Sequence, residues 1–206
     1  MKTGLLPPDA GAAAVRGDGG TGNTLYPILA ALCRAATPGA EPSRADCRRA
    51  LGAEPAGSGD GDRPQAFRRR MGVHATVYLA RHEFGCPGLE QYNFRISPPH
   101  GVFSSELDPV IRKVDTCDPD GGMAWDADGR FSDLVVEHGQ DPDWLCIAAS
   151  ICLLRYTMCG WEMAPSQNDL LEEVHLECNV FSRKRMTQVH GELHRHGLFG
   201  QNQTPD

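Results

Sequence analysis

Apolar residues are densest at positions 144–158, where they occupy nearly every side of a helical projection. This pattern predicts a helix that is buried in the core rather than one that lies at the surface. Upstream, residues 74–80 and 92–97 are rich in β-branched and aromatic side chains, and residues 134–136 form a short apolar run. Such runs are typical of short strands. Together the segments predict an α+β fold with a small mixed sheet in the middle third, packed by the buried helix.

The last forty residues predict two further helices. Apolar positions recur at helical spacing through residues 169–176 and again through residues 182–196. Ser166 or Asn168 can cap the first of these helices, and Gly197 ends the second. We therefore expect a helical C-terminal end.

The first third of the chain predicts little packed structure. Residues 1–22 are rich in Gly, Ala, Pro and Asp, and residues 53–65 have the composition of a linker. Between them, residues 25–36 predict one short apolar helix, and residues 44–51 add another turn or two. We expect residues 1–66 to form a largely disordered arm with that one helix, and residues 67–206 to form a single α+β domain.

Net charge and cysteine content narrow the class of protein. The 206 residues carry a formal net charge of −7, which excludes a protein that coats nucleic acid through overall positive charge. Eight cysteines follow no secretory segment, so we expect free thiols in a cytoplasmic or nuclear protein. The longest apolar run is too short to span a bilayer, and no membrane partner is expected.

Positive charge is concentrated near the C-terminus. Residues 115–143 are acidic, whereas three consecutive cations lie at the start of the final predicted helix, namely Arg183, Lys184 and Arg185. We expect these side chains to contact the phosphates or bases of a nucleic acid, or an acidic protein partner.

A cysteine and three histidines near the C-terminus have the spacing of metal ligands. Phe181 and His190 are separated as the aromatic residue and first histidine of a Cys2His2 zinc finger are, and His190 and His194 are four residues apart on one helix face. The segment therefore resembles such a finger, with His175 in the place of its first cysteine. The resemblance implies a structural zinc held by His175, Cys178, His190 and His194.

The same segment also resembles the end of a winged helix-turn-helix domain. In that resemblance residues 182–196 are the recognition helix, and residues 197–199 lead toward a wing. Both resemblances assign the three cations of this helix to contacts with a partner.

Two other histidines suggest an enzyme. Residues 77–83 resemble the opening of the histidine phosphatase superfamily, in which a strand delivers an arginine and a nucleophilic histidine. The resemblance implies that His82 is the nucleophile, that Arg81 and His138 bind the phosphate, and that Arg112 is a further clamp. Cationic neighbours of this kind would hold the phosphate and offset charge during transfer. The alternative is that these are ordinary histidines at the ends of strands.

The sequence thus predicts a non-catalytic intracellular protein. Its basic, His-rich C-terminal helix would bind nucleic acid or a protein, and a structural zinc is part of this expectation. The alternative is a phosphoryl-transfer enzyme built on His82 and His138. The two hypotheses differ in which set of side chains the fold brings together.

Overall fold

A computed structural model describes residues 25–53, 63–114, 123–159 and 165–198. Within these ranges the protein is mostly helical with one small sheet, which confirms the α+β class. The elements in chain order are α1 (Leu25–Ala36), α2 (Arg44–Ala50), α3 (Arg63–His82), β1 (Arg95–Ser97), β2 (Gly101–Phe103), α4 (Asp108–Lys113), α5 (Arg130–His138), α6 (Pro142–Met158), α7 (Gln167–Glu177) and α8 (Arg183–Arg195).

Helix α6 lies at the centre of the larger core, as the sequence predicts. Every residue from Trp144 to Cys152 is buried, and α3 packs along it with residues 71–80 all buried. The two helices approach closely at Gly72, where Pro142 leaves no room for a side chain. Burial on all sides of both helices explains why neither has a polar stripe in its middle section.

The sheet is a two-stranded antiparallel hairpin rather than a mixed sheet. Arg95 pairs with Phe103, Ile96 with Val102, and Ser97 with Gly101. Gly101 has a φ of +105°, and a Cβ atom there would lie 3.0 Å from Ser150 Oγ of α6. A glycine is needed here because the hairpin backbone lies directly against that helix.

Two predicted strands are wrong. Residues 74–80 lie in the middle of α3, and residues 134–136 lie in α5. Their β-branched residues favour a strand only as a weak local preference, which burial within a continuous helix overrides. Of the predicted strand at residues 92–97, the last three residues form β1.

The first third of the chain is packed rather than an arm where it is described. Helix α1 contributes eight buried residues, and it lies against α3 and α5. Helix α2 begins with a reciprocal cap between Ser43 and Asp46, and it places Cys47 in the same core. Helix α3 begins at Arg63, three residues before the predicted boundary, and its residues share a core with α1. Residues 1–24 and 54–62 lie outside the described ranges.

The helical C-terminal end is confirmed. Ser166 accepts a hydrogen bond from the Asp169 backbone N–H at the start of α7, and Ser182 does the same for Arg185 at the start of α8. Such caps satisfy backbone donors that a helix leaves free in its first turn. Helix α8 ends before Gly197, whose φ is +71°. One side of α8 is buried against the domain.

Replacing Gly72 with alanine is expected to destabilise the protein. The added Cβ would lie 2.9 Å from Pro142 Cβ and 3.1 Å from Pro142 Cα, so α3 and α6 would have to move apart. We expect the free energy of unfolding to fall by about 1–3 kcal/mol, measured by urea denaturation.

Gly191→Ala is the matched control, because it makes the same change within α8 where nothing lies within 4 Å of the added Cβ. Only the higher helix propensity of alanine then matters, and we expect the free energy of unfolding to rise by about 0.5–1 kcal/mol. Equal effects of the two substitutions would contradict the close approach of α3 and α6.

Candidate functional site

Helix α8 has one buried side and one exposed side. Met186, Val189, His190 and Leu193 are buried. The opposite side is open to solvent, and we call it the basic face of α8; it consists of Arg183, Lys184, Thr187, Gln188, Gly191, His194 and Arg195. Three of these seven residues are permanent cations, in a chain whose net charge is −7.

Polar contacts on the flank of α8 fix which side faces outward. Trp144 Nε1 donates a hydrogen bond to Glu192 Oε2 at 2.5 Å, and Gln188 Nε2 donates to Glu192 Oε1 at 3.0 Å. Arg185 forms a salt bridge with Asp141, the residue that caps α6. Glu192, the one carboxylate of α8, therefore bonds to Trp144 of the core and also pairs with Arg195 at 3.4 Å, whereas Arg183 and Lys184 are exposed. Of the three predicted contact residues, Arg185 is half-buried and already paired.

The structure does not assemble the predicted zinc finger. No three of its four candidate ligands bring their ligand atoms within 4.8 Å of one another. Cys178 is fully buried at the end of α7, and its thiol lies 3.6 Å from Ser150 Oγ. Burial raises the pKa of this thiol, which disfavours the thiolate that a metal requires. His190 and His194 are one helical turn apart on α8, with ring centroids 4.9 Å apart, but His175 lies on α7.

The predicted phosphatase residues lie in separate surroundings on helices. His82 ends α3 and stacks on Tyr78, whereas His138 ends α5 and stacks on Trp144. Arg81 donates to the carbonyl oxygens of Tyr92 at 2.6 Å and Leu89 at 3.3 Å. The strand that would deliver His82 in that family is helix α3. The resemblance is therefore local to the sequence.

Arg112, the remaining predicted phosphate ligand, is exposed and belongs to a charged cluster around the half-buried Asp108. Its Nε lies 2.7 Å from Asp108 Oδ2, while Arg70 Nε lies 3.0 Å from Asp108 Oδ1. His74 is fully buried beside them, and its Nδ1 accepts a hydrogen bond from the Ser104 backbone N–H at 3.2 Å. This cluster joins α3 to α4 and leaves no free cation for a phosphate.

One group of metal-ligating side chains does converge among the described residues: Glu137, His138 and His196. The two imidazole Nε2 atoms lie 3.1 Å apart. Glu137 Oε1 lies 3.4 Å from His138 Nε2, and Glu137 Oε2 lies 3.5 Å from His196 Nε2. The group lies where the end of α5 meets the residue that follows α8.

The sequence predicts that His138 binds phosphate, and it predicts no metal-binding role for Glu137 or His196. The only local signal is that Glu137 and His138 are adjacent. His196 is 58 residues away from His138, and their proximity depends on how α5, α6 and α8 pack. Spacing along the chain therefore contained no indication of the group.

No family model, no curated protein and no solved structure matches the chain. None of the described helices has both the length and the apolar character needed to cross a membrane.

The free energy of unfolding is expected to depend on pH through His74. Burial, with a smaller effect from Arg70 and Arg112, lowers the pKa of His74 to about 4, against an ordinary value of 6.5. Between those values the unfolded chain binds a proton that the folded chain excludes. The contribution of the neutral His74 to the free energy of unfolding is therefore fully present above pH 6.5, and it is lost as the pH falls toward 4.

Urea denaturation between neutral pH and about pH 5 measures this dependence. The His74→Asn variant, whose side-chain oxygen can accept from Ser104, should show a shallower loss than the wild type. Some loss should remain, because burial also lowers the pKa of His82, His138 and His190. Identical pH dependence in the two proteins would show that His74 does not exclude a proton.

Proposed function

We propose that this protein is a non-catalytic intracellular binding protein that uses the basic face of α8 to bind an anionic partner. That partner is a nucleic acid or an acidic surface of another protein. The observation that supports the proposal best is the distribution of charge on α8, where Arg183 and Lys184 are exposed at the start of the helix, whereas Glu192 bonds to Trp144 and pairs with the exposed Arg195 at 3.4 Å.

The position of the cations along the helix favours phosphates as the anionic groups. Arg183 and Lys184 lie in the first turn of α8, where the helix dipole also attracts negative charge. Thirteen residues form a helix about 20 Å long, a size that the major groove admits. Gly191 lies in the middle of the exposed side with open space around it, so the backbone can approach a partner closely.

The overall charge of −7 limits how strongly such a face can bind. The rest of the chain repels a polyanion at long range, and a single helix makes few phosphate contacts. We therefore propose weak to moderate binding that depends strongly on salt concentration.

The state of the cysteines supports an intracellular location, cytoplasmic or nuclear. Six of the seven described cysteines are buried, and Cys86, Cys146, Cys152, Cys159 and Cys178 are free thiols. Burial raises the pKa of Cys86 to about 12, and it raises the pKa of Cys152 well above its ordinary value. These thiols are consistent with small core residues in a reducing compartment.

A negative charge at the centre of the basic face is expected to abolish binding. Gly191→Glu has room for its side chain and improves helix propensity, so the fold should persist. Fluorescence anisotropy with labelled duplex DNA and RNA, and with an acidic peptide, measures the effect. Gly191→Ala is the matched control, because it makes the same backbone change without the charge.

Neutralisation of the two cations in the first turn tests the phosphate contacts directly. For nucleic acid, Arg183→Gln with Lys184→Gln should reduce the slope of log affinity against log salt by about 2. Loss of peptide binding alone would identify an acidic protein partner instead. No binding by the wild type, or equal binding by Gly191→Glu and Gly191→Ala, would contradict the proposal.

A further inference from the structure

The distances among Glu137, His138 and His196 match those between the ligands of one metal ion. Ligand atoms at about 2.0–2.1 Å from a tetrahedral zinc lie roughly 3.3 Å from one another. The two Nε2 atoms lie 3.1 Å apart, and the Glu137 carboxylate places Oε1 at 3.4 Å from His138 Nε2 and Oε2 at 3.5 Å from His196 Nε2. An ion can therefore lie between them without any rearrangement of the backbone.

Hydrogen bonding explains only part of this arrangement. One proton shared between the two Nε2 atoms accounts for their separation of 3.1 Å. The carboxylate oxygens of Glu137 lie 3.4 Å and 3.5 Å from the Nε2 atoms of His138 and His196. Both distances exceed the usual range of about 2.7–3.2 Å for a hydrogen bond to oxygen. Glu137 is thus close to both rings but well bonded to neither, as expected of a ligand set.

The rings are held in place before any ion binds. His138 stacks on the fully buried Trp144 with ring centroids 3.7 Å apart and an interplanar angle of 1°. The carbonyl oxygen of His196 accepts a hydrogen bond from Arg130 at 3.0 Å, which fixes the backbone at the end of α8. Fixed ligands of this kind lose little freedom on binding, and such support raises metal affinity.

The charges around His138 suit a cation. Glu137 Oε1 lies 3.4 Å from His138 Nε2, and Glu192 accepts a hydrogen bond from Trp144, on which the His138 ring stacks. A divalent ion bound here would offset this negative charge.

We propose that Glu137, His138 and His196 bind one divalent transition-metal ion, with zinc as the first choice, and that the ion joins the end of α5 to the end of α8. Two imidazoles and one carboxylate are a ligand set that suits zinc and related ions. Three protein ligands leave a fourth position for water. The site shares none of its ligands with the predicted zinc finger.

Calorimetric titration of the full chain with zinc chloride tests the proposal. The wild type should bind one equivalent. Glu137→Gln, a change at an exposed side chain, should weaken binding by at least about 10- to 100-fold, the usual cost of losing even an outer contact of a metal site. His196→Ala should abolish it. His194→Ala is the matched control, because it removes a neighbouring exposed histidine of the same helix end.

Cobalt(II) in place of zinc identifies the ligands by a second readout. Binding at the proposed site should give a visible spectrum typical of nitrogen and oxygen ligands, without the near-ultraviolet band of a thiolate–cobalt bond. A thiolate band would place the ion at a cysteine and overturn the proposal. Absence of zinc binding by the wild type, or unchanged binding by Glu137→Gln and His196→Ala, would overturn it as well.

Discussion

The contacts of Trp144 determine how the C-terminal half of the protein is arranged. Its side chain is fully buried at the start of α6, one face stacks on His138 at the end of α5, and its Nε1 donates to Glu192 of α8. An indole that is buried needs both apolar contact and a partner for its N–H group. Trp144 finds these on two different helices, and so it holds three helix ends together.

The turn between α5 and α6 reinforces this junction. Asp141 accepts a hydrogen bond from the Trp144 backbone N–H and also forms a salt bridge with Arg185 of α8. Arg185 and Glu192 are seven residues apart, which is two helical turns, so both lie on the same flank of α8. With both turned toward α6, the other charged side chains of α8, Arg183, Lys184 and Arg195, face solvent. The exposure of Arg183 and Lys184 follows from how α8 is anchored.

Local patterns in the sequence are sufficient for α1, α2, α6, α7 and α8, but not for α3, α5 or the sites. The bounds of α1, α6, α7 and α8 follow from apolar spacing together with caps such as Ser166 and Ser182. The predicted strand at residues 74–80 is wrong because burial in a continuous helix overrides the weak strand preference of β-branched residues. The zinc-finger spacing of His190 and His194 is the spacing of any two residues one turn apart on a helix, and their environment decided against a shared site. His190 is buried and His194 is exposed, and this difference depends on the packing of α8 against α6 and α7.

The group formed by Glu137, His138 and His196 illustrates the same limit. Its members come together only because α5 and α8 both end at Trp144. Nothing in the spacing of residues 137, 138 and 196 indicates that meeting. Two cations of the basic face, in contrast, belong to the run from Arg183 to Arg185 in the sequence. The structure was needed to show that the third member of that run, Arg185, pairs with Asp141.

The central claim is that α8 is an integral part of the core and presents its basic face from a fixed position. Amide hydrogen exchange, resolved along the chain, tests this most directly. We expect the backbone amides of residues 186–193 to be protected from exchange as strongly as those at the centre of α6, because both helices open only when the whole domain unfolds. Exchange in α8 that is orders of magnitude faster than in α6 would contradict it, because the helix would then open independently of the core.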